Sequence, residues 1–68
     1  MLSKKQIERR VDVAMNAASR GLQIPLSRLG GMGKLATQAV EADNSLEGGA
    51  LVEKCRAIMI QQGATEAE

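Results

Sequence analysis

No phenylalanine, tyrosine or tryptophan occurs anywhere in this 68-residue chain. That absence limits what the chain can fold into more than any motif does. Aromatic side chains each bury about 150–250 Å², and a chain this short buries only about 60% of the surface its unfolded form exposes. Ten of its 30 hydrophobic residues are alanine, which leaves seven Leu, four Ile, four Val, four Met and Cys55 to fill an interior. Such a core is expected to supply only about 3–5 kcal/mol unless something staples it. A single cysteine excludes an internal disulfide. Without histidine, a structural zinc site lacks its usual ligands. The remaining remedy for a thin core is association, so a second copy or another protein is the expected partner.

The periodicity is helical throughout. Ser3 and Gln6 have the spacing of a capping box, and Leu2 and Ile7 that of a hydrophobic staple. Gly21, just past Arg20, supplies a left-handed stop, with the cation suited to the negative end of the helix dipole. The first helix is therefore expected over residues 4–20. At about 100° per residue, Ile7, Val11, Ala14, Met15 and Ala18 share its inner face. Lys5, Arg9, Asn16 and Arg20 line the opposite face, flanked by Lys4 and Arg10, and Val13 falls among these polar residues.

The middle of the chain is punctuated by glycine. Pro25 suits the first turn of a short helix ending at Leu29. Gly30, Gly31 and Gly33 inside a helix would together cost about 3 kcal/mol relative to alanine, which predicts a break there. A second helix is expected from Lys34 to Ala42, with Leu35, Ala39 and Ala42 inward. Asp43-Asn44-Ser45 reads as a turn, and Asn44 with Glu47 as a capping pair for a third helix whose firm part begins near Ala50. In that helix Leu51, Val52, Cys55, Ile58 and Met59 span an inward arc about 120° wide. Lys54, Glu53, Arg56 and Gln61 lie outside the arc, and Ile60 projects away from it. Gly63 ends the helix, and the acidic tail 64–68 is expected to be disordered. No strand-length alternation, internal repeat or sustained heptad occurs. The expected architecture is all-α: a small bundle of three helices, or four with Pro25–Leu29, forming one domain over residues 1–63.

Several function classes fit poorly. Gly31-Met32-Gly33-Lys34 has the look of a phosphate loop, but Arg28 stands where the leading glycine belongs and Leu35 where Ser or Thr should follow the lysine. What remains is a helix start at which backbone amides and Lys34 could hold an anion, or simply a hinge. No histidine is present to serve as a general base near neutral pH, and no hydroxyl has an evident activating partner. Neither enzymatic activity nor a cofactor or metal is expected. Cys55, inside the apolar arc of helix 3, reads as a small core residue; an intermolecular redox link would require exposure. No run reaches the length of a membrane span, no secretory signal follows the first lysines, and the expected setting is the cytoplasm. Surface attachment to a membrane by helix 1 lacks aromatic anchors.

Two binding readings remain. Net charge is +1, yet residues 1–35 carry +5 and residues 36–68 carry −4, a polarity that an ordinary dipolar surface accounts for and that also suits an acidic partner or head-to-tail attraction between copies. Val13 and Ile60, apolar outside their apolar stripes, are candidate partner-binding residues. The favoured function is a small regulatory or adaptor protein that binds protein and forms a homodimer. The alternative is a nucleic-acid-binding protein using Lys5, Arg9, Asn16 and Arg20 along a phosphate backbone. Glu8 and Asp12 interrupt that face, no aromatic can stack on bases, and an ordinary solvated helix face accounts for the same residues. A helix-turn-helix with helix 3 as its reading helix would lead with Glu47, which repels phosphate.

Overall fold

The computed structural model describes residues 2–67, which form three α-helices around one core. The elements are α1 (Lys4–Ala18), α2 (Leu29–Ala42) and α3 (Gly48–Gln61), with a 3-10 turn at Leu26–Arg28 and two short strands, β1 (Leu22–Gln23) and β2 (Thr65–Glu66). None of the helices is long and apolar enough to cross a membrane.

The start of α1 follows its local signals. The Ser3 amide donates to Gln6 Oε1 at 2.8 Å and the Gln6 amide to Ser3 Oγ at 3.2 Å, pairing two donors that a helix start leaves open. Leu2 and Ile7 are both partly buried against the core. The helix ends at Ala18, so Arg20 lies beyond its last turn, and Gly21 takes the left-handed conformation with φ +76°.

The glycines do not break α2. The helix runs through Gly30, Gly31 and Gly33, none of which has positive φ. Upstream, the 3-10 turn replaces the expected fourth helix: Pro25 sits at its cap, and the Arg28 amide donates to the Pro25 carbonyl at 2.9 Å. The inward phase of α2 also differs from expectation. Met32, Ala36 and Val40, four residues apart, are fully buried, while Leu35 is 38% exposed, Ala42 is exposed and Ala39 is only half-buried. A stripe begun at Lys34 omits Met32. Burying a methionine side chain stabilises by about 1.5–3 kcal/mol, enough to offset much of the glycine cost.

The third helix is inward where its pattern indicated: Leu51, Cys55, Ile58 and Met59 are buried and Val52 is partly buried. Its start differs. The Asn44–Glu47 capping pair does not form; instead the Asp43 carboxylate accepts from the Ser45 hydroxyl (2.6 Å) and the Ser45 amide (3.0 Å). Those bonds, the hydroxyl's first, hold the Asp43 carboxyl below the usual range. Glu47 caps the helix without a side-chain bond, and the helix begins at Gly48, ahead of the expected Ala50.

The tail from residue 64 departs from the expectation of disorder. Ala64 is buried, and Thr65–Glu66 pair antiparallel with Gln23 and Leu22. The Ala67 amide donates to the Gly21 carbonyl at 2.8 Å. Glu68 lies outside the described residues.

Among the described residues eleven are buried, and four of them are alanines: Ala14, Ala18, Ala36 and Ala64. The larger fully buried side chains are Met32, Leu51, Met59, Val40 and Cys55, with these alanines between them in the core. Two arginines fix the relative direction of α1 and α3. Arg10 Nη1 donates to the Asn44 and Leu46 carbonyls near the start of α3 (2.8 and 3.3 Å). Arg56 Nη1 donates to the Ala18 and Arg20 carbonyls past the end of α1 (3.5 and 3.3 Å). The two helices therefore run parallel, and α2 runs antiparallel to both.

Candidate protein-binding face

Burial of Val11, Ala14 and Ala18 fixes the rotation of α1 and so decides what it presents outward. Lys5, Arg9, Val13 and Asn16 follow one another at steps of four, four and three residues, which at about 100° per residue makes a single outer line, and Arg20 lies in the turn past its end. All five are exposed, and Val13 is 71% exposed in the middle of the line. Residues read separately, as a partner-binding valine and a basic stripe, thus form one face. Among the described residues the ion pairs are Arg10–Glu47 at 3.4 Å and Arg56–Glu66 at 4.0 Å, and neither involves Lys5, Arg9 or Arg20. Arg56, paired with Glu66, donates to the Arg20 carbonyl at that end. Asp12, also exposed, is the one acid between Arg9 and Asn16.

The flanking cations do other work. Arg10 turns onto the start of α3 and ties the α2–α3 connection to α1. Lys4 lines a groove between α1 and α2. That groove, about 490 Å³, has Leu2 and Ile7 on its surface with Glu8, Glu41, Thr37 and Asn44 around them. A shallower groove of about 410 Å³ lies between α1 and α3, where Val13 meets Val52, Arg9 and Gly48.

Ile60 is 50% exposed but does not join Val13. Arg56 is level with Ala18, so Ile60, one turn further along α3, stands past the end of α1. Val13 lies near the start of α3, which puts the two residues roughly 15 Å apart along the bundle axis at 1.5 Å per residue. The pair marks two separate places.

The phosphate-loop remnant loses its basis. Gly31 to Lys34 lie inside α2, and Thr37 Oγ1 donates to the Gly33 carbonyl (2.9 Å) as helix geometry allows. Backbone amides from Gly33 onward are spent on the helix ladder. Cys55 is fully buried, and burial pushes its thiol pKa up, opposite to what a reactive thiol requires. Sequence reasoning missed three exposed leucines: Leu26 at 83%, Leu29 at 42% and Leu35 at 38%. Leu35 would have been found by taking Met32 as the start of the α2 stripe. Leu26 follows the proline turn and carries no periodic signal. Compared with protein-family models, curated proteins and solved structures, the chain matches none.

Proposed function

We propose that this chain is a small, non-enzymatic regulatory or adaptor protein of the cytoplasm that binds protein through the outer face of α1 and self-associates, the dimer being its smallest assembly. The observation that carries this reading is Val13, 71% exposed amid Lys5, Arg9, Asn16 and Arg20. Burying a valine side chain stabilises by about 1.5 kcal/mol or more, so an apolar residue set within a line of cations suits an acidic surface with an apolar spot. The charges then steer the encounter and the valine anchors it. A core in which four of the eleven buried residues among those described are alanine gives association a second purpose, because binding only the folded form stabilises it.

The exposed cations also favour nucleic acid, but a phosphate backbone has no use for a valine at the centre of the line. Sedimentation and binding to random duplex DNA separate the two readings. The protein-binding reading expects a dimer at micromolar concentration, lost in Val13→Asp, and negligible binding to DNA. Nucleic-acid binding through three phosphate contacts would instead give a log–log salt slope near about −2.7, lowered by about one in Arg9→Ala. Micromolar DNA binding at physiological salt, abolished by neutralising Lys5, Arg9 and Arg20 in a folded protein, would reverse the ranking.

A further inference from the structure

We infer that the groove between α1 and α2 is the docking site for the outer face of α1 from a second copy, so that copies join head to tail. This rests on the proposed role of the α1 face and specifies its occupant. The groove has an apolar surface from Leu2 and Ile7, both partly buried, rimmed by the exposed carboxylates of Glu8 and Glu41. Among the described residues neither carboxylate has an ion-pair partner. Lys4 on the same rim offsets one of them, leaving a net negative rim. Asp43, exposed and bound by the Ser45 hydroxyl and amide, adds a further negative charge two residues past Glu41.

The α1 face has the complementary pattern. Val13 is an apolar knob and Arg9, one turn earlier, a cation without an ion pair, so Val13 on Leu2 and Ile7 would set Arg9 against Glu8 and Glu41. Symmetry decides the mode. A two-fold contact of the face with itself would bring the Lys5, Arg9 and Arg20 cations of both copies together, and groove on groove would oppose the carboxylates. Only face on groove sets opposite charges against each other; made one way it is heterologous and lets copies add with concentration, whereas a two-fold pair in which each face fills the other's groove would stop at a dimer. The first two copies joined head to tail keep one open groove and one open face, so further copies add as concentration rises.

The test uses two full-length variants altered only at exposed positions: a face variant, Arg9→Glu with Val13→Asp, and a groove variant, Glu8→Lys with Glu41→Lys. Circular dichroism first confirms that both fold. Each alone should sediment as a monomer at concentrations where the wild type associates. Mixed in equal amounts they should associate again, because the groove variant still has an intact face and the face variant an intact groove. Association of the groove variant as strongly as wild type would overturn the groove assignment, and loss in the face variant alone would leave the α1 face standing. Wild-type association by both variants would overturn both, as would a wild type that stays monomeric. Two monomeric variants that do not associate on mixing would also overturn head-to-tail docking.

Discussion

Replacing Gly31 and Gly33 with alanine should stabilise this protein, and the sign of the effect depends on whether α2 runs through its glycines. Both residues lie inside the helix, and neither has positive φ. A Cβ added at either would meet no atom within 4 Å, so the substitution introduces no clash. What changes is the backbone entropy of the unfolded chain and the helix propensity. Each replacement is worth about 0.5–1 kcal/mol, less for Gly31 in the first turn than for Gly33, and about 1–2 kcal/mol for the pair. For a domain of this size 1 kcal/mol moves Tm by about 4–8 °C, so the double variant should melt about 4–16 °C higher. Far-UV circular dichroism melts read this directly; running them at two concentrations separates folding from association. Gly21→Ala is the control with the opposite sign, because at φ +76° a side chain is strained by about 1–2 kcal/mol. A double variant that melts no higher than wild type would refute continuity of α2 and restore the break that glycine content alone predicts.

Other perturbations test the packing. Met32→Ala should cost about 2–5 kcal/mol, enough to leave much of the chain unfolded at room temperature; Leu35→Ala should cost about 1 kcal/mol or less, and equal effects in urea melts would refute the inward phase of α2. Arg10→Ala should destabilise by about 1–2 kcal/mol, since it removes two charged hydrogen bonds at the start of α3, whereas Arg9→Ala on the outer face should shift stability by about 0.5 kcal/mol or less. Cys55 should resist thiol reagents until denaturant is added. Burial raises its folded pKa, so the unfolded chain gives up the thiol proton first and stability should fall as pH rises past about 8.5; a urea midpoint that Cys55→Ala leaves equally sensitive to alkaline pH would show that the loss has another source.

What was legible in the sequence is what neighbours three or four residues apart decide. The Ser3–Gln6 box, the Gly21 and Gly63 stops, the inner face of α1 and the inward arc of α3 are each set within one or two turns of chain, so periodicity and capping chemistry suffice. The outer face of α1 was legible for the same reason: once Val11, Ala14 and Ala18 turn inward, Lys5, Arg9, Val13 and Asn16 must turn outward; Arg20, past the helix end, is not placed by that rotation. The remaining features depend on groups far apart in the chain. Local propensity opposes a helix at Gly30–Gly33, and burial of Met32, Ala36 and Val40 in the core offsets it. Arg10 and Arg56 read as surface cations until carbonyls 34 to 38 residues away meet them. Thr65–Glu66 have no strand signal of their own and are ordered by the hydrogen bonds that β1 offers. The groove of Leu2, Ile7, Glu8 and Glu41 exists only where α1 and α2 lie side by side, because neither helix alone can enclose a volume.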